Sequence, residues 1–185
     1  MNLIIDKSNQ KLKTGDIILT SKKHSPFLKA MRFFQKDFVL YSHTLIVKDE
    51  YFAYEAKGRI RITNIKEVLD NCDAYLIVRK KNFTKYKKEL MIRLLKDLVG
   101  RPYSYKRLFL QVLDNVFHTN KFTRLLKSID NQICSSLVAW VYYVLFEIKF
   151  NNKNWYSADP DDLHDELSIN KNDWFIIDQD IKETN

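Results

Sequence analysis

Asn131-Gln132-Ile133-Cys134-Ser135-Ser136-Leu137 runs into Val138-Ala139-Trp140-Val141-Tyr142-Tyr143-Val144-Leu145-Phe146, so polar sequence gives way abruptly to a run without a charge. The stretch from Leu137 to Phe146 is about half the roughly 20 apolar residues needed to cross a bilayer. It is apolar on all sides, which predicts a central helix buried by the rest of the chain. Cys134 falls in the first turn of that helix.

The sequence around this junction reads as helical. From Phe83 to Val99, apolar residues fall at 83, 86, 90, 91, 94, 95 and 98, the stripe of an amphipathic helix, and Gly100 and Pro102 end it. Tyr105 to Phe117 and Phe122 to Ile129 carry similar patterns. Downstream, Asp159-Pro160-Asp161-Asp162 opens a short helix with acidic residues at its positive end, and Asp173 to Asp178 is a last strand. The first half differs. Asp16 to Thr20, His43 to Lys48, Tyr51 to Ala56, Arg59 to Thr63 and Ala74 to Arg79 are short β-rich runs, with turns at Asp49-Glu50 and Lys57-Gly58. Ser25-Pro26 predicts a helix through Phe34, and Asn64 with Glu67 a capping-box-like start for another. The expected class is α+β: a small, mostly antiparallel sheet followed by a helical half, in one domain over residues 1–185.

Composition narrows the function classes. With 45% apolar residues in 185, the chain can bury a real core. Three Gly and three Pro argue for long regular elements and against a Gly-rich phosphate loop. The start, Met1 to Asp16, lacks the long apolar stretch of a signal peptide. The expectation is a chain without a transmembrane segment, cytoplasmic where it is made, of bacterial or phage type. Two cysteines without CxxC or HxxxH spacing read as free thiols, with no structural zinc and no cofactor. The formal charge of +8 and pI near 9.3 suit an anionic partner, although the basic residues are spread over many segments, as on any Lys-rich surface.

Three residues carry candidate chemistry. At the start of a helix, unpaired N–H groups and the helix dipole stabilise the thiolate of Cys134 and can also receive an oxyanion. Taken alone, Cys134 also reads as a small buried hydrophobe. His43 opens a short apolar strand, where a thiolate–imidazole partner is needed. Glu55 sits amid the apolar Ala53-Tyr54-Glu55-Ala56, and a carboxylate there must be paired. Counted from the Asp49-Glu50 turn, His43 and Glu55 are near neighbours across an antiparallel ladder, so Glu55 is suited to orient His43. A half-exposed edge-strand Glu fits the same sequence. His24, His118 and His164 read as surface residues, and the carboxylates flanking Cys72 make it a poor nucleophile.

Gly15-Asp16-Ile17-Ile18, Ser42-His43-Thr44-Leu45-Ile46-Val47, Tyr54-Glu55-Ala56, Gly100-Arg101-Pro102-Tyr103-Ser104-Tyr105 and Cys134-Ser135-Ser136-Leu137-Val138 follow one another in the order of a known pattern. The chain resembles the permuted NlpC/P60 papain-like superfamily, nearest its YiiX/YebB-like group, with lecithin:retinol acyltransferase-like proteins as cousins. The resemblance runs from residue 15 to about 165. His and Glu precede Cys, which is the permuted order. It implies a circularly permuted papain-like fold, with a small antiparallel sheet or partial barrel packed on a helical half. It also implies Cys134 as nucleophile, His43 as general base and Glu55 as the orienting residue. Tyr103 takes the place of a tyrosine near the oxyanion, although a packing role suits it equally, and Ser135 is the other candidate for oxyanion or substrate contact. Asp159-Pro160-Asp161-Asp162-Leu163 resembles an element shaping the active-site surface. Two features depart from the pattern: Ser135-Ser136 stands where many relatives carry an acidic residue or glycine, and the insertion between Tyr105 and Cys134 is long.

The function so implied is a thiol hydrolase or acyltransferase acting on an amide, ester or thioester, with a peptidoglycan-type peptide or a lipid acyl group as substrate. The other class is a catalytically silent binding module for an anionic surface or nucleic acid. A phage or viral factor whose partner is a host protein is a third reading.

Overall fold

The computed structural model describes residues 11–21, 41–102 and 134–181. Six strands form one antiparallel sheet: β1 (Ile17–Ser21), β2 (His43–Val47), β3 (Phe52–Lys57), β4 (Arg59–Asn64), β5 (Ala74–Lys80) and β6 (Trp174–Ile181), in the order β4-β3-β2-β1-β5-β6. Among the described residues the sheet is open, with β4 and β6 at its edges. Four α-helices accompany it among the described residues: α1 (Ile65–Asp70), α2 (Lys85–Lys96), α3 (Cys134–Phe146) and α4 (Pro160–Ile169). Among the described residues, no helix is long and apolar enough to cross a membrane. The helices expected over Ser25–Phe34, Tyr105–Phe117 and Phe122–Ile129 lie outside the described residues.

Alternation explains why the central strands read as unbroken apolar runs. Ile17, Leu19, Ile46, Leu76 and Val78 face one cluster with Met91, Leu95, Leu137, Val138, Val141 and Tyr142 from α2 and α3. Ile18, Leu45, Val47 and Ile77 face a second cluster with Ile65 of α1 and Ile177. A sheet covered on both faces demands apolar residues at every position. The first cluster also buries Trp174 and Phe150. Burying each such side chain contributes about 1.5–3 kcal/mol.

Gly15-Asp16 is a structural joint. Gly15 has φ 90°, and a Cβ there would come within 2.1 Å of the Phe83 ring, so no other residue fits without strain. Its carbonyl accepts from the Tyr142 hydroxyl of α3. Asp16 is buried and takes a bidentate pair from Arg79, at 2.7 Å on each oxygen, plus the Lys13 N–H at 2.8 Å.

Two expectations need correction. The amphipathic helix starts at Lys85, because Thr84 caps it by accepting the Lys87 N–H. Phe83 therefore lies outside and packs edge-on against Phe146 at 5.0 Å. That helix stops at Lys96, and Gly100, with φ 92°, instead donates its N–H to Ile60 of β4. The α3 helix is not buried on all sides either: Tyr143 and Val144 are exposed, being on the side away from the sheet core.

Candidate active site

His43 is the first residue of β2, and its side chain keeps 22% of its surface exposed. In the β2–β3 ladder Glu55 stands opposite Leu45, so His43 is its diagonal neighbour, two residues along the same face. From there Glu55 Oε1 lies 2.9 Å from His43 Nε2. The remaining ring nitrogen is Nδ1, and Cys134 stands close enough to His43 for each to shift the other's titration through charge and side-chain hydrogen bonding.

Cys134 is the first residue of α3, and α3 packs directly on β2. The backbone N–H groups of Thr44 and Ser135 lie near its sulfur and favour the ionised thiol. Burial opposes ionisation of this thiol, but His43 and those two donors outweigh it and hold the pKa below the ordinary value. Burial likewise pulls His43 down, while the facing thiolate and Glu55 push it up to about 9. The two shifts run in opposite directions, Cys134 down and His43 up.

Glu55 is buried and clamped on its other oxygen. Arg61 of β4, its direct cross-strand partner, donates from Nε at 2.8 Å and from Nη2 at 2.7 Å to Oε2. Burial raises the pKa of Glu55, but the bonds and charges of His43 and Arg61 prevail and hold it down at about 2. Arg61 escaped the sequence reading, although the signal was there: Glu55 and Arg61 are each three residues from the Gly58 turn.

Ser135 is fully buried, and its hydroxyl donates to the Ala158 carbonyl at 2.9 Å. That hydroxyl ties the first turn of α3 to the loop entering α4, and the backbone N–H is the group near the sulfur. Asp159 and Asp162 form a complete capping box at the start of α4, each side chain accepting from the other's N–H at 2.9 Å. Lys153 lies 2.7 Å from Asp162. His164 is no plain surface residue, since it packs on Tyr41 with ring centroids 5.2 Å apart. The α4 helix thus braces both the cysteine turn and the approach to His43. Cys72 is buried, and its thiol bonds to the Leu69 carbonyl, away from the site. Tyr103 lies outside the described residues.

No protein-family model and no curated protein matches the chain. Among solved structures it is similar to the metalloprotein yiiX from Escherichia coli O157:H7, with a TM-score of 0.57 and 20% identity over 95% of this chain and 100% of that one. The donor set here does not suit a metal ion. Both Glu55 oxygens are engaged, one by a guanidinium that repels a cation, and no group of three or more potential ligands converges among the described residues. The likeness is one of fold: a mixed α/β architecture of the YiiX-like kind.

Proposed function

We propose that this chain is a cysteine-dependent hydrolase or acyltransferase with a permuted papain-like (NlpC/P60) fold, one domain over residues 1–185, acting on an amide, ester or thioester. One observation carries the reading: the imidazole of His43 is held at Nε2 by Glu55 and is coupled electrostatically to Cys134. That coupling supports the sequence of nucleophile, base and orienting group that covalent acyl transfer needs.

The thiolate of Cys134 adds to the substrate carbonyl carbon, and the carbonyl electron pair moves onto oxygen. N–H groups at the start of α3, left without partners inside the helix, are the donors this reading assigns to that oxyanion. When the intermediate collapses, the bond to the leaving group breaks and the leaving group takes the proton from the His43 imidazolium. The acyl group is now a thioester on Cys134. Water, or another acceptor in a transferase, gives its proton to His43 and adds to the thioester carbonyl. Collapse of that intermediate breaks the C–S bond, releases the acyl product and returns the Cys134 thiolate beside the protonated imidazole. Glu55 fixes the imidazole ring throughout and stabilises its charged form, with Arg61 holding the carboxylate in place.

Incubation with a panel of wall-type peptides, lipid esters and thioesters, followed by intact-mass analysis, tests this reading. The expected product is an acyl adduct on Cys134 whose mass names the acyl group. Turnover of the same substrate by Cys134→Ala at the wild-type rate contradicts it.

A further inference from the structure

Among the described residues, exposed basic side chains gather at one end of strands β2 to β4. β2 begins at His43, β3 ends at Lys57 and β4 begins at Arg59, so all three residues share one end of the sheet. Carrying the register of Leu45 with Glu55 two residues further sets His43 against Lys57. The turn between β3 and β4 is Lys57-Gly58-Arg59, with both cations exposed and Arg61 half-exposed just behind.

Strands β2, β3 and β4 carry one carboxylate, Glu55, and it is already engaged by His43 and Arg61. Lys57 and Arg59 have no ion-pair partner among the described residues. The opposite end of the same strands is balanced: Lys48 sits 2.7 Å from Asp49, and Lys11 sits 3.4 Å from Glu50. Among the described residues, two cations without an acidic partner therefore stand at the end where His43 keeps part of its side chain exposed.

The turn is also held in place. Gly58 takes φ 71°, and a Cβ there would meet nothing within 4 Å, so the turn is open to approach. Outside β4, Ile60 exchanges hydrogen bonds with Gly100 and Arg101, at 2.8 and 2.9 Å, and Arg59 bridges to Pro102. A braced backbone reduces the ordering cost of aiming these two side chains at a ligand.

We infer that Lys57 and Arg59 form an anion-binding rim of the site, and that the substrate bears a phosphate-type group close to the carbonyl that Cys134 attacks. This rests on the proposed acyl chemistry and narrows its substrate class. A guanidinium beside an ammonium suits the tetrahedral oxygens of a phosphate. That phosphate belongs to a soluble phosphorylated acyl compound or to a lipid headgroup, and the test separates the two.

The test uses the full chain and two electrophiles for Cys134, anionic iodoacetate and neutral iodoacetamide. The ratio of their rates reports the local field, and the neutral reagent is the internal control for an intact site. In Lys57→Gln/Arg59→Gln the ratio should fall at least about threefold at low salt, and the difference should vanish near about 1 M salt. Inorganic phosphate should slow iodoacetate labelling of the wild type more than of the double variant if the ligand is soluble. Vesicles of phosphatidylglycerol, but not phosphatidylcholine, should do so if it is a headgroup. An unchanged ratio in the double variant, with neither competitor protecting, overturns the rim. Iodoacetamide labelling of wild-type Cys134 with an ordinary thiol midpoint is a different failure, that of the acyl chemistry itself.

Discussion

Glu55 reaches His43 on the diagonal: it lies opposite Leu45 in the ladder, yet its Oε1 sits 2.9 Å from His43 Nε2. The diagonal leaves Glu55 directly opposite Arg61 on the other side, so one carboxylate serves an imidazole and a guanidinium at once.

Glu55→Gln should keep the ring contact through its amide oxygen but lose the charge that stabilises the imidazolium. Activity on the true substrate should fall by about 10²–10³-fold, against about 10⁴-fold or more for Cys134→Ala. Steady-state kinetics of the two variants checks the ordering.

Arg61 acts through Glu55 as a positioning residue. Because the carboxylate is held at about 2 in the folded chain, it contributes stability above the unfolded value near 4.5, and that contribution is lost as pH falls toward 2. Arg61→Gln removes one of the groups that depress it, so the acid-unfolding midpoint should move to higher pH. Arg61→Lys should restore part of the shift, since it returns the charge without the two-pronged donor. Circular dichroism against pH reads both, and an unmoved midpoint in Arg61→Gln contradicts the role.

The paired titration of Cys134 and His43 predicts a bell-shaped profile of kcat/KM. Its acid limb marks formation of the thiolate, below the ordinary thiol range, and its alkaline limb marks loss of the imidazolium near about 9. An alkaline limb near 6.5, the value of an unperturbed histidine, contradicts the pair.

Asp161 tests the acidic start of α4. Burial, and then the charges of Asp159, Asp165 and Asp162, raise its pKa to about 7 despite Lys153. A carboxylate raised in this way favours the fold while protonated, and stability is lost progressively as pH rises from the ordinary value of 3.8 to about 7. Asp161→Asn should therefore raise Tm at pH 8 by about 2–4 °C, and the gain should shrink as pH falls below 7 and disappear below the ordinary value of 3.8. Differential scanning calorimetry across that pH range checks this.

Much of this arrangement is readable from particular residues. β-branched and aromatic runs bounded by Asp49-Glu50 and Gly58 place three strands, β2, β3 and β4, to within a residue or two, because turn chemistry and period-2 patterning are local. Counting from those turns brings His43 and Glu55 together, and the same counting pairs Glu55 with Arg61. The sheet order is not local. α1 carries the chain from β4 past β1, so that β5 pairs with β1 rather than with β4, and nothing in the Ile65 to Asp73 sequence specifies that crossing. The open face of α3 is also unreadable, since Tyr143 and Val144 resemble their buried neighbours in every property except position. For Ser135, the local sequence could not reveal that its hydroxyl would meet Ala158, 23 residues further along the chain.

The pH dependence of Cys134 alkylation by iodoacetamide, followed by peptide mass spectrometry in the wild type and in His43→Ala, tests the central claim most directly. An activated thiolate should label with a midpoint clearly below about 8.5, and His43→Ala should move that midpoint upward toward an ordinary thiol. Cys72, buried and bonded to the Leu69 carbonyl, should stay far slower in both proteins. A wild-type midpoint already at the ordinary thiol value, unmoved by His43→Ala, would show that Cys134 and His43 do not form an ion pair, and the proposed acyl chemistry would fall with it.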